Sequence, residues 1–196
     1  SVLFRVCSRI WSGAVSAAWL AEHARYQPFD SLSADGSVDG VPGEPYVAAS
    51  FWFNSCFPDT RRHRRVVNDV LIELSRRVAV VVVDAGGFPG VAPSITTRDR
   101  IRVVSLGRTE DQPREQAKLI AGARGFVGTF GGVSLMAPFY NVPTSLVFGE
   151  EADLFPHHVA VAHAIAHAMP GLPFDVTSTA DFDAARLGEW VDRTLQ

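Results

Sequence analysis

The sequence predicts an α/β domain built on a doubly wound, Rossmann-like parallel sheet of about six strands. Three observations predict it. Short apolar runs alternate with amphipathic stretches along most of the chain, the pattern of repeated β-α units with right-handed crossovers and helices on both sheet faces. One run, Val78 to Asp84, reads VAVVVVD without polar alternation, as expected of a strand buried on both faces. The third is a glycine turn, Thr129 to Gly132, joining a buried strand at Gly125 to Gly128 to a helix start at Val133.

The elements follow in order. Residues 14–26 suit a helix carrying Trp19 and Tyr26, and residues 31–44 are rich in Gly, Ser, Asp and Pro, the composition of a linker. Residues 1–44 therefore read as an N-terminal helix and linker, the remnant of a preceding domain, and residues 45–196 as the α/β domain. Pro45 to Phe53 is a strand. Thr60 caps a helix whose Val66, Val67, Val70, Leu71 and Leu74 recur at helical spacing. After Val78 to Asp84 comes a glycine- and proline-rich loop, 85–98, then a strand at Ile101 to Leu106. Pro113 opens a helix running to Arg124, where its missing N–H costs least. The helix from Val133 stops at Asn141-Val142-Pro143, and Thr144 to Phe148 is the next strand. A helix over 157–168, a short strand at Phe174 to Val176 and a helix over 181–194 complete the pattern, without an internal repeat.

Composition narrows the function. A chain of 196 residues suits one core, at roughly 150 residues per domain, with room for an appendage. A net charge of −3 gives no basic field for nucleic acid. Two cysteines, Cys7 and Cys56, are too few for a disulfide framework and read as reduced thiols of a cytosolic protein. No apolar run approaches the ~20 residues of a membrane span. The opening residues carry Arg5 and Arg9 but no continuous apolar core, so they do not read as a signal peptide. The expected location is cytoplasmic, with peripheral attachment at the inner face of the membrane as the second reading. The chain begins with Ser, which fits a processed, excised or longer protein.

In such a sheet ligands sit beyond the carboxyl ends of the strands. That rule selects Asn54-Ser55, Asp84, Gly107-Arg108, Thr129 with Gly131-Gly132, and Glu150-Glu151. Glycines at a helix opening let a ligand approach backbone N–H groups, and the helix terminus favours an anion such as a diphosphate. Packing alone also places glycine at such turns. The motif lacks the Lys of a P-loop and is not G-x-G-x-x-G, so neither that route to ATP hydrolysis nor a nicotinamide-type turn is supported. Gly132-Val133-Ser134-Leu135-Met136 has Met where a nucleophile elbow needs Gly, which counts against Ser134 as a hydrolase nucleophile. Arg61, Arg62, Arg64 and Arg65 open a helix whose dipole they oppose. They are either a solvated face or a rim for an anionic ligand. His163 and His167 have two-His spacing, but HAIAH holds no Glu and no third ligand is in clear reach, so no metal site is expected.

The run GTFGGVSLMAPFYNVP, residues 128–143, resembles the donor-diphosphate turn in the C-terminal half of GT-B glycosyltransferases. Closely similar turns occur in bacterial heptosyltransferase-like enzymes and in UDP-N-acetylglucosamine 2-epimerase. YVAASFWFNSCFPDTRRHRR and DQPREQAKLIAGARGFVG resemble the same half of other bacterial glycosyltransferases. The resemblance covers about residues 45–180 and is best at 112–148. It implies one half of a GT-B fold, a nucleotide diphosphate sugar as substrate, an unknown acceptor, and no cofactor or metal. It also implies donor contacts from Arg108 toward the base and from Thr129, Gly131, Gly132, Val133 and Ser134 toward the diphosphate. Glu150 and Glu151 would face ribose or sugar, with Asn54, Arg61 and Arg62 as further anion contacts. GT-B catalysis takes place between two halves, so an N-terminal acceptor domain carrying the base is expected outside this chain. The resulting expectation is the donor-binding domain of a glycosyltransferase. The alternatives are a nucleotide-binding module without catalysis of its own and an enzyme like the 2-epimerase.

Overall fold

The computed structural model describes residues 16, 19, 22, 41–84, 100–107, 110–150, 162, 164–166, 168–169 and 171–194. Six parallel strands form one sheet: β1 (Tyr46–Ser50), β2 (Ala79–Asp84), β3 (Ile101–Ser105), β4 (Gly125–Thr129), β5 (Thr144–Phe148) and β6 (Phe174–Ser178). Their spatial order is β3-β2-β1-β4-β5-β6, and every adjacent pair is parallel. The named helices are α1 (Arg61–Arg77), α2 (Gln112–Ala121), α3 (Met136–Phe139) and α4 (Ala184–Thr194). The expected doubly wound sheet is therefore present.

The winding reverses at β1. The chain moves from β1 outward to β2 and β3, then returns to place β4 on the other side of β1. Right-handed crossovers then require helices on opposite faces in the two halves. The core divides accordingly. Val67, Val70, Leu71 and Leu74 of α1 and Leu187, Trp190 and Val191 of α4 pack on the face carrying Val47, Val80, Val82, Val127 and Val147. Leu119 and Ile120 of α2, Ala137 of α3 and Ala162 cover the face carrying Ala48, Val81, Val83, Phe126 and Leu146. All six residues of β2 but Asp84 are buried, as the unalternating run implies.

Local sequence fixes several boundaries. Thr60 Oγ1 accepts a hydrogen bond from His63 N at 3.1 Å, the expected cap of α1. Pro113 lies in the first turn of α2. Asn141 takes φ 57°, a conformation asparagine tolerates, and its amide and that of Val142 bond back to Pro138 O and Ala137 O. The residues around 162–168 that are described are largely helical, in line with the helix expected there. The expected N-terminal helix is described only at Trp19 and Glu22, both helical. Most of the linker and the loop 85–98 lie outside the described residues.

Two expectations need correction. The helix does not begin at Val133: residues 132–135 are turn, and α3 is a four-residue helix from Met136. Pro138 has no N–H to give to the carbonyl of Ser134, so a helix can hold it only within its first turn. The first strand does not reach Phe53 but ends at Ser50. Beyond it, the Asn54 side-chain oxygen accepts from Cys56 N at 2.8 Å and Phe57 N at 3.0 Å, closing a turn that ends the extended run.

Candidate functional site

The strand order reverses between β1 and β4, and the carboxyl ends of these two strands open a cavity of about 330 Å³. Such a switch point is where open α/β sheets bind ligands. One wall comes from the residues after β1: Ser50, Trp52 and Asn54. The other comes from the end of β4 and its turn: Thr129, Phe130, Gly131, Gly132, Val133 and Ser134. A hydrogen bond spans the crevice, from Trp52 N to Thr129 Oγ1 at 2.8 Å. It ties the two loops together.

The glycine turn is held from within. Ser134 is buried; its hydroxyl donates to Gly131 O at 2.6 Å and accepts from Gly131 N at 2.9 Å. Leu135 N also donates to Gly131 O, at 3.2 Å, and Met136 N to Val133 O at 3.1 Å. The amides of Gly132, Val133 and Ser134 have no acceptor among the described residues. Three successive unused donors beside a cavity have the chemistry that suits an anion, though α3 is too short to add much of a helix dipole.

Packing among the described residues requires neither Gly131 nor Gly132. Among the described residues a Cβ on either would meet nothing within 4 Å, and neither has the positive φ that disfavours side chains. Gly128, by contrast, would drive a Cβ into the backbone oxygen of Ser50. The glycines of the turn thus leave room on the open side, where a ligand can reach the amides.

Of the residues singled out from sequence, the cavity brings together Asn54, Thr129, Gly131, Gly132, Val133 and Ser134. Two of these have structural duties: Thr129 accepts from Trp52 and Ser134 clasps the turn. Among the described residues Ser134 bonds to Gly131 alone, not to an imidazole or carboxylate. Arg61, Arg62 and Glu150 do not line the cavity. Arg62 reaches the end of β6, donating to Thr179 O at 3.3 Å and lying 4.0 Å from Glu150 Oε1. Asp84 lies at the end of β2, accepting from Ser105 Oγ at 3.3 Å. Arg108, Glu151, His163 and His167 lie outside the described residues. No group of three or more His, Cys, Asp or Glu among the described residues could hold a metal ion.

Sequence reasoning missed Ser50, Trp52 and Phe130. The aromatic run SFWF looks like more strand, and extending β1 to Phe53 moved its carboxyl end past the residues that meet the crevice.

The loops at this edge are stitched to one another. Gly149 N donates to Cys56 O at 2.8 Å, and Thr179 N to Phe148 O at 2.8 Å. Thr179 Oγ1 donates to Gly149 O at 3.0 Å. His63 is buried, stacks on Phe57 with centroids 4.4 Å apart, and places Nδ1 2.6 Å from Pro58 O. The carboxyl edge is therefore a connected scaffold of loops.

No family model matches the sequence, and no curated protein matches it either. Solved structures do. The chain superposes on E. coli ADP-heptose LPS heptosyltransferase II with a TM-score of 0.54 and 16% identity, over 80% of this chain and 48% of that one. It superposes on the glycotransferase of kitacinnamycin with a TM-score of 0.51 and 15% identity, over 85% of this chain and 39% of that one. These neighbours are GT-B glycosyltransferases. At such identities the likeness is one of fold, and the chain spans less than half the length of either protein.

Proposed function

We propose that this chain is the donor-binding half of a glycosyltransferase, taking a sugar from a nucleotide diphosphate sugar to an acceptor. The observation that carries the reading is the switch-point cavity, with three acceptor-less amides and two glycines whose missing side chains leave its mouth open. A diphosphate has the charge and the acceptors that such an edge suits. The fold shared with heptosyltransferase II and the kitacinnamycin glycotransferase supports the same reading.

In the proposed reaction the bond from the sugar's anomeric carbon to the diphosphate oxygen breaks, and the electron pair leaves with the nucleoside diphosphate. A new bond forms from an acceptor oxygen, whose proton passes to a base. Charge grows on the departing diphosphate, so fixed donors aimed there lower the barrier. The amides of Gly132, Val133 and Ser134 fill that role, and transfer proceeds without a bound metal ion. The cavity carries no carboxylate or imidazole among its described residues; in this proposal an N-terminal acceptor half supplies the base.

That last observation also favours a second reading, a nucleotide-binding module without chemistry of its own. Donor turnover separates the two. Residues 1–196 alone should bind donor and transfer sugar very slowly, and a longer chain with an N-terminal acceptor domain should transfer fast, with or without EDTA. A longer chain that binds donor but never turns it over favours the module. Strong metal-dependent transfer by residues 1–196 alone contradicts the proposal.

A further inference from the structure

The donor reading concerns one wall of the cavity and does not address the other. Trp52 is half-buried, lines the cavity, and is anchored by its own amide to Thr129 Oγ1 across the crevice. Beside it stand Ser50 and the carboxamide of Asn54, whose oxygen is used in the turn to Cys56 and Phe57 and whose NH₂ group remains as a donor. The cavity is therefore two-sided: the glycine turn on the β4 wall, Trp52 with small polar residues on the β1 wall, and no charged side chain among its described residues.

We propose that the Trp52 indole is the stacking platform for the transferred sugar ring, and so determines which sugars the site accepts. This rests on the donor reading given above. The volume of about 330 Å³ lies at the small end of the range for ligand pockets, roughly 300–1,000 Å³. A phosphate and one ring are enough to fill it. Connectivity favours the sugar over the base. In a nucleotide sugar the base is separated from the nearest phosphate by the whole ribose, whereas the sugar is bonded to a phosphate oxygen directly. An aromatic wall sharing a small cavity with the phosphate-binding amides therefore meets the sugar before it can meet the base. A pyranose offers a face of C–H groups, which suits an indole, and an equatorial rim of hydroxyls, which suits Ser50 and the Asn54 NH₂. A flat apolar wall is an amphipathic contact of low entropic cost, because the ring has few torsions to fix.

The test compares binding of each nucleoside diphosphate with its own sugar conjugate: UDP with UDP-glucose, ADP with ADP-glucose, GDP with GDP-mannose. Calorimetry on residues 1–196 compares wild type with Trp52→Ala, Trp52→Leu and Trp52→Phe, each checked for a cooperative thermal transition. For the best-bound pair, Trp52→Ala and Trp52→Leu should weaken the sugar conjugate about tenfold, the size of one good aromatic stack. Both should leave the free nucleoside diphosphate within about twofold, and Trp52→Phe should keep most of the conjugate's affinity. Trp52→Phe, which preserves the ring, and Trp52→Leu, which preserves bulk, keep the test open if the alanine variant does not fold. Equal losses for the diphosphate and its conjugate, or no loss for either, overturn the proposal while leaving the donor site intact. Wild-type protein that binds none of the probes removes the donor reading itself, and this inference with it.

Discussion

Gly128 and Gly132 stand four residues apart and are glycine for different reasons. Gly128 pairs with Ser50 in the sheet, and a side chain there would collide with the Ser50 carbonyl. Gly128→Ala should therefore lower stability by about 1–3 kcal/mol, the usual cost of overpacking, measured by urea denaturation. Gly132 faces open space, so a substitution there should leave stability nearly unchanged and act on the ligand alone. Ser134 is a third case. With both of its hydrogen bonds spent on Gly131, Ser134→Ala should cost about 1 kcal/mol or somewhat more, and wild-type Ser134 should stay unlabelled by a fluorophosphonate probe. Labelling at Ser134 would reverse the view of it as a clasp. The glycine turn was legible in the sequence because Gly131 and Gly132 stand between two hydroxyl residues, Thr129 and Ser134, just after a buried apolar run. Trp52 was not legible, because an aromatic residue after an apolar run reads as more strand until the Asn54 turn is seen.

At the scale of elements, α1 packs beside α4 on one face of the sheet. Its N-terminus is set by Thr60, and Thr60→Ala should lower stability by about 1 kcal/mol, read from the same denaturation curves. At its other end Arg77 donates to Glu73 Oε1 at 3.1 Å and to Asp192 on α4 at 2.8 Å, crossing Gly188, where a Cβ would meet the guanidinium. The hydrogen bond from Arg77 holds the Glu73 carboxyl below its usual range, with Arg76 adding to the effect. A carboxylate with a lowered folded pKa contributes stability that is present above its unfolded pKa and is lost as pH falls through the folded value. The melting temperature of wild type should therefore exceed that of Glu73→Gln at pH 6, and the gap should close as the pH is taken toward 3. A gap that widens on acidification would mean the sign is wrong. Strands were the most legible elements, since unalternating apolar runs such as β2 have one good destination in an α/β fold. The start of α3 was not, because the clasp at Ser134 and the missing N–H of Pro138 act together and neither shows in the hydrophobic pattern.

For the whole molecule, the order β3-β2-β1-β4-β5-β6 decides where function lies. The two strands whose loops diverge are β1 and β4, and the cavity opens between them. The fold class was readable from the alternation of elements alone. The cavity needed the pairing of β1 with β4, strands about eighty residues apart, which no local pattern encodes. The most direct test of the central claim is a calorimetric titration of wild type and Gly132→Val with UDP and ADP, alongside their thermal melts. The account predicts matching melts, binding of at least one nucleoside diphosphate by wild type, and at least a tenfold loss of that affinity in Gly132→Val. A folded Gly132→Val protein that binds the same nucleotide as tightly as wild type would contradict it.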